Sequence, residues 1–462
     1  MKSNREREKK RTVRGEITAF LSLVFVLLVS FILALTESSM IQTSKNQKRM
    51  DVDRALYSVF GEYQKDLSED YDIFAFDMSY GSGQFEEDLL LNRMAYYGNP
   101  GIEQEITDLQ LLTDNGGQAF REQVLAYMES KDGIDLIQNL VGLSEKWEEQ
   151  EIKGEAVSEE IDQLIGQNEE ILPEEFDGIT EAKKSGLLSL VLPKTFILSS
   201  KSVNPAEMLS AGNKESGWGS FPQRSNTGGV KGKVLYEQYI LETFGSATEP
   251  HGKNRNLDYE IEYMISGKSS DEENLRSVVR QLFCFRLAMN YVYLLSDAKK
   301  QGEAEVLALA LAAVALHPEA AEGLKQILLL LWCFGESVMD LRALLSGKRA
   351  ALMKSEETWQ LSLESVFRIG SGEDGMEGMD AEDGMTYMQY LQILLFMKGE
   401  EELTMRYKIK DKKYCRNTNR DHIFISGIFR IFLALMNKRI SRCTSTLAAV
   451  CKGHIVLCTL LL

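Results

Sequence analysis

From the N-terminus the chain runs polar and basic to Arg14, apolar from Ile17 to Leu35, and polar again from Thr36. Those nineteen mostly apolar residues span about 28 Å as a helix, close to the hydrocarbon thickness of a bilayer. Beyond them the apolar positions become periodic. Val52, Ala55, Leu56, Val59 and Tyr63 recur at i, i+3, i+4, i+7 and i+11, which lays one stripe along a helix. No proline interrupts Thr36 to Leu67, and its one glycine is Gly61, so the spacing predicts helix from Ile17 to Leu67, about 75 Å long. Tyr71 to Asp77 then alternates apolar and polar as a short strand does.

Farther on, Glu86 to Glu170 reads as acidic helix, and Gly186–Leu192 and Thr195–Leu198 are short apolar runs with strand or edge character. Residues 211–233, rich in Gly, Ser and Asn, mark a loop. Leu235 to Phe244 is an amphipathic helix. Tyr259 to Ile265 alternates as a half-buried strand. Ser270 with Glu273 forms a capping box that opens the next helix, carrying Leu275, Val279, Leu282 and Phe283. Val306–Leu316 and Ile327–Phe334 are strongly apolar, each too short to span a bilayer, and His317-Pro318 between them predicts a buried helical hairpin.

Charge orients the first segment. Lys2, Arg5, Arg7, Lys9, Lys10, Arg11 and Arg14 flank the apolar run on one side, and Glu37, Ser38 and Ser39 on the other. That asymmetry keeps the N-terminus cytoplasmic and sends the chain outward. No small-x-small cleavage site follows Leu35, so a retained single-pass anchor in membrane lipid is favoured over a cleaved signal. The formal charge is −17. Residues 407–462 hold eleven Lys and Arg against Asp411 and Asp421; removing their net +9 leaves −26 on the rest. Such an acidic body excludes nucleic acid as a partner, which needs a basic face.

The chemistry-bearing residues are sparse. Glu336 and Asp340 share one helical face, and a structural ion pair with Arg276 or Arg286 is favoured over acid–base or metal work. Glu260 and Glu262 share a polar strand face turned to solvent or a basic neighbour. Glu373, Asp374, Glu377, Asp380, Glu382 and Asp383 lack the regular ligand spacing of a calcium loop. Cys284 and Cys333 sit where an outward-facing chain would allow them to pair, but their apolar helical contexts favour free, buried thiols. The four histidines are scattered, and no nucleophile elbow or Cys-x-x-Cys is present. No catalytic, cofactor or metal residue is nominated, and the chain does not read as an enzyme.

Arg14-Gly-Glu-Ile-Thr-Ala-Phe-Leu-Ser-Leu-Val, Glu37, Ala55 to Tyr63 and Asp70 to Asp77 resemble the TadE/TadG-like pseudopilin-type N-terminus that accompanies Tad (Flp) pilus assembly. The body resembles an uncharacterised family of Gram-positive surface proteins. Its blocks are Ser185 to Pro193, Tyr259 to Gly267 with Glu273-Asn-Leu275, Leu331 to Asp340 and Tyr387 to Leu391. The resemblance implies a pilus or envelope assembly partner and a processing point at Gly15. Type IV pilins carry a glutamate five residues beyond that glycine to pair with a neighbour's N-terminus. Phe20 stands there in this chain, with Glu16 beside the glycine. That departure implies a non-polymerising accessory protein.

The expected fold class is therefore α+β, predominantly helical, with a long N-terminal transmembrane helix continuing into a mixed ectodomain with a small sheet. Its parts are a basic cytoplasmic segment (1–14), the anchor (15–36), a pilin-like helix extension and strand (37–83), an acidic helical region (84–185), a mixed core (186–406) and a basic tail (407–462). The tail reads as frameshifted or otherwise aberrant; the alternative is a genuine basic tail touching the membrane. Val52, Leu56, Val59 and Tyr63 are the candidate face for a partner helix. The expected function is a pseudopilin-like structural or accessory protein. The alternative is a tethered extracellular ligand-binding protein unrelated to pili.

Overall fold

A computed structural model describes residues 2–75, 77–78, 80, 87–98, 101, 105–106, 108–112, 114–131, 140–167, 186–203, 216–222, 229–251, 255–314, 317–371, 374–399, 403 and 428–430. Almost all the expectations for residues 407–462 lie outside these, as do the whole 168–185 stretch and Glu373. The chain is predominantly helical and divides into two units, the first comprising residues 1–64, 76–109 and 428–462, and the second 65–75 and 110–427.

In the first unit, α1 (Lys2–Phe60) is one helix, about 88 Å long. It contains the candidate membrane span, and none of the apolar window is buried within the protein. Phe20, Phe25 and Phe31 are all exposed. The helix ends earlier than the spacing predicts. At Gly61 the amides of Gly61, Glu62 and Tyr63 turn back to the carbonyls of Tyr57, Val59 and Phe60, and α2 (Lys65–Tyr71) begins anew. Along α1, Val52, Ala55 and Val59 are buried and Leu56 is partly so, as is Tyr63 in the turn beyond it. Helix α3 (Glu87–Tyr97) packs against α1 and contributes buried Leu90 and Met94. Polar contacts brace this pair. Arg54 Nε donates to the Tyr97 carbonyl at 2.9 Å. Arg93 and the Tyr97 hydroxyl both donate to Glu62, at 2.5 and 2.6 Å.

The second unit is built around α9 (Asp271–Ser296). Against it lie α5 (Leu140–Gln167), α8 (Glu260–Ser266) and α11 (Ala321–Leu345). Helix α4 (Gln118–Ser130) packs on α7 (Gly229–Thr243), and α12 (Tyr387–Met397) rests on α5, α7 and α8. The short α6 (Leu187–Val191) meets α9 and α11. Trp147 of α5 stacks on Phe285 of α9 with ring centroids 4.0 Å apart. There the two helices approach so closely that a Cβ on Gly154 would overlap the Cys284 backbone carbonyl. The expected hairpin forms. Helix α10 (Ala298–Val314) packs on α11 through Ala304, Ala308 and Ala312, with His317-Pro318 at the turn. Its outer face is not buried, since Val306, Leu309 and Val314 stay exposed.

Three expectations are corrected. Tyr71–Asp77 is not a strand: Tyr71 closes α2, and Asp72 adopts φ 54°, a left-handed turn. Ile73 and Ala75 are buried and Phe74 is exposed, as the alternation implied. However, the Gln123 side chain occupies the place of a neighbouring strand. It accepts from the Phe74 amide at 2.9 Å and donates to its carbonyl at 3.2 Å. Tyr259–Ile265 is the helix α8, with Ile261 through Ile265 all buried. Five consecutive buried residues carry no usable period. The decisive signal is Gly267, whose φ of 67° ends the helix with its amide on the Tyr263 carbonyl. Gly186–Leu192 likewise holds α6 and not a strand. The expected small sheet is not confirmed, since extended structure among the described residues is confined to the three-residue segments Asp108–Gln110 and Ile428–Arg430 and isolated bridges.

Caps explain several boundaries. Ser270 accepts from the Glu273 amide as expected, but the Glu273 carboxylate takes the Ser269 hydroxyl at 2.9 Å. At α12 Thr386 and Gln389 form the complete reciprocal box.

Candidate functional site

The paired carboxylates Glu336 and Asp340 project from one face of α11 into the centre of the second unit, where both are fully buried. Of the two expected cations, Arg286 is the partner. Its Nε and Nη2 reach Asp340 Oδ2 at 3.0 and 2.8 Å. Arg276 instead pairs with Glu272 on the surface. The sequence offered no sign of a second cation, Lys354, which inserts between the carboxylates. Its Nζ lies 2.5 Å from Glu336 Oε1 and 2.7 Å from Asp340 Oδ1.

Every donor of both cations is engaged. Arg286 has five N–H bonds. Beyond the two on Asp340, Nη2 reaches Asn290 Oδ1 at 3.1 Å, and Nη1 reaches the Leu352 carbonyl at 3.0 Å and the Tyr390 hydroxyl at 3.3 Å. The third Lys354 proton goes to the Thr358 carbonyl at 3.0 Å. Asn290 also donates to Asp340 and to Ser337 Oγ, each at 3.0 Å. Glu336 accepts the amides of Gln360 and Leu361 at 3.0 and 2.9 Å. The Leu361 carbonyl in turn takes both the Trp332 and Trp359 indoles at 2.8 Å.

Two positive and two negative groups, with their hydrogen bonds filled, make a self-contained clamp. It ties α9, α11, α12 and the irregular segment 350–361 together. Burial pushes the Asp340 carboxyl up, but the Arg286 and Lys354 charges outweigh it and hold it below the ordinary carboxylate value. Burial raises Glu336, against the pull of Lys354. Removing one member of such a buried set leaves an uncompensated charge, which costs about 3–5 kcal/mol. A substrate would have to displace internal partners to reach any of these groups, so the arrangement positions helices and has no spare acid or base.

The other candidates are also committed to structure. Asp374 binds Arg342 through both oxygens at 2.6 and 2.8 Å. Asp380 binds Arg349 at 2.6 Å, and Glu377 meets Lys348 at 3.5 Å. These carboxylates of the acidic loop staple it beside the end of α11; among the described residues no group of three or more His, Cys, Asp or Glu is placed to hold a metal ion. Cys284 and Cys333 are free and buried. Burial pushes the Cys284 thiol up to about 11 and Cys333 well above its ordinary value, so neither is an activated nucleophile. His317 bonds Glu319 at 3.0 Å; His422 and His454 lie outside the described residues.

Glu260 and Glu262 do not share a solvent-facing strand edge. Glu260 accepts the Gly245 amide at 3.1 Å and lies 3.6 Å from Arg255. Glu262 is fully buried with no cation paired to it among the described residues, its Oε1 accepting the Ala247 amide at 2.9 Å and the Tyr387 hydroxyl at 2.8 Å. Burial raises its carboxyl to about 7. In the first unit, Gly15 sits within α1 with open space where a side chain would project. Of the candidate face, Val52, Leu56 and Val59 lie on α1, which packs against α3, while Tyr63 falls in the turn after the helix.

The sequence model of a family of unknown function (DUF5702) matches residues 166–408, more than half of the chain and the whole of the clamp. The chain belongs to that family. No curated protein and no solved structure matches it. Within the DUF5702 region fall α6 through α12 and every residue of the Arg286 network; α1 lies outside it. The features missed by sequence reasoning were Lys354, Asn290, Ser337 and Tyr390. Asn290 stands four residues from Arg286 on the same helical face, a readable signal. Lys354 sits in an irregular segment with no period to betray it.

Proposed function

We propose that the protein is a membrane-anchored surface protein with a structural role, an accessory component of Tad/Flp-type pilus assembly or related secretion in a Gram-positive envelope. The observation that carries the anchoring is α1: its apolar run is wholly exposed, whereas the apolar helix α11 is buried along nearly its whole length. One such helix is consistent with single-pass attachment. Seven basic residues before it, counted from Lys2 to Arg14, favour a cytoplasmic N-terminus. The pilus assignment is supported by the TadE/TadG-like pattern of Arg14 to Asp77. The structural role is supported by the clamp, whose charged groups are spent on holding helices together.

Two experiments test this. Trypsin added to intact, wall-stripped cells is expected to degrade the chain beyond α1; survival of the second unit until lysis overturns the orientation. Crosslinking in membranes followed by mass spectrometry is expected to recover pilus-assembly proteins. Recovery of a retained small molecule and no assembly protein would favour the tethered ligand-binding alternative.

A further inference from the structure

Glu262 differs from every other carboxylate described above. It is fully buried, no Lys, Arg or His among the described residues pairs with it, and its two oxygens are unequally used. Oε1 accepts both the Ala247 amide and the Tyr387 hydroxyl, while Oε2 has no partner. That asymmetry favours the neutral acid, with Oε1 as the carbonyl acceptor and the proton on Oε2, because an unpartnered hydroxyl costs less than an unpartnered charge. Ionised, the group would leave half its charge on a buried oxygen with no hydrogen-bond partner, a costly state in an apolar interior.

The residue joins three pieces of chain. It belongs to α8, Tyr387 opens α12, and Ala247 lies in the connection that follows α7. That connection is a tight turn. Ser246 donates its amide to the Glu249 carbonyl at 3.0 Å, the Glu249 amide returns to Ser246 Oγ at 3.1 Å, and the Ile261 amide binds the Gly245 carbonyl at 3.1 Å. The groups turned toward Glu262 add no positive charge. From the start of α9 comes Asp271, held by the amides of Asp258 and Tyr259 and the Ser199 hydroxyl. Its charge disfavours a second anion nearby. From α12 comes Tyr387, and beside α8 stands Tyr259; burial raises both phenols, so they remain neutral. On α8 itself, Glu260 is occupied by Gly245 and Arg255.

We propose that Glu262 is a pH-sensitive latch: protonated, it fastens the 245–249 turn onto α8 and α12, and on losing its proton to solvent it releases that turn. The device operates around neutrality, since the closed carboxyl titrates at about 7 and an opened, hydrated one would return to 4.5, its ordinary value. Those two values make the opening equilibrium rise about tenfold between about pH 6 and about pH 8.5. An outward-facing domain would thus loosen at one defined place in response to alkalinity of its surroundings.

Hydrogen exchange by mass spectrometry on the full chain in lipid nanodiscs, corrected for the intrinsic pH dependence of exchange, reads this directly. Peptides covering residues 244–251 are expected to open about tenfold more at about pH 8.5 than at about pH 6, and less than twofold more in Glu262→Gln, while α9 and α11 peptides stay unchanged in both. Equal pH response in the two proteins, or none in the wild type, overturns the latch. Should Glu262→Gln not fold, infrared difference spectra of the wild type decide: the C=O band of a buried protonated carboxyl must be present at the lower pH and lost at the higher, and its persistence or complete absence overturns the proposal.

Discussion

Glu262 and Asp340 are carboxyl groups sealed in the same unit, yet they solve burial in opposite ways. Asp340 is met by Arg286 and Lys354, so its charge is retained and its proton affinity falls below the ordinary value although burial alone would raise it. Glu262 is met by an amide and a phenol, so burial dominates and its proton affinity rises. Burial therefore does not fix the sign of the shift; the balance between burial and neighbouring charge does, since Arg286 and Lys354 together lower Asp340 whereas Lys354 alone leaves Glu336 raised. The two sites accordingly give opposite pH dependences. With Asp340 lowered, its contribution to stability is present above its ordinary value of 3.8 and is lost as pH falls through the folded value. With Glu262 raised, its contribution is present below 4.5 and is lost as pH rises through about 7.

The comparison breaks most sharply at the cation. Arg286→Met should cost about 3–5 kcal/mol in urea unfolding at neutral pH, because Asp340 would remain buried with only part of its compensation. A loss below about 1 kcal/mol would mean the clamp is no more than a surface pair in effect. Next in size is Glu262→Gln. It should leave stability nearly unchanged in mild acid and raise it by up to about 3 kcal/mol at about pH 8.5, from the shift between 4.5 and about 7. A uniform destabilisation at all pH values would show that the carboxyl is retained for a contact and not for its proton.

The acid limb sharpens the contrast further. Unfolding of the wild type and of Glu262→Gln should lose stability in parallel as pH falls below about 4, where Asp340 takes up its proton. Separation of the two curves there would assign the acid limb to Glu262. The smallest effect is the control. Arg276→Ala removes an exposed i,i+4 pair with Glu272 and should change stability by less than about 0.5 kcal/mol in the same assay.

Much of this architecture is readable from the sequence where helices show a 3.6-residue period over many residues: α1, α7, α9 and the α10–α11 hairpin. The need for a cation was also readable, because Glu336 and Asp340 share a helical face, but the sequence left Arg276 and Arg286 as equal choices and the structure selects Arg286. Lys354 was not, since it approaches through the irregular segment 350–361, whose course depends on Trp332, Trp359 and Leu361 meeting from different elements. The α8 helix failed for the opposite reason. Its residues 261–265 are all buried, so the alternation Tyr-Glu-Ile-Glu-Tyr reported the order of residue types and not a two-sided environment. Tyr71–Asp77 shows a third limit: the alternation of burial was right, but a glutamine side chain supplied the bonds a neighbouring strand would have made.

No residue between Leu35 and Val52 is buried, although the α1 helix continues through all of them. Once the apolar run is placed in lipid, those intervening residues form a bare post about 25 Å tall before the first side chain is gripped by the rest of the unit. A post of this kind is stiff, unlike a slack leash of glycine and serine. Tilt or rotation imposed at the lipid end would be carried upward to α3 with little lost on the way, and a proline inserted near Lys45 would uncouple the two ends without touching either.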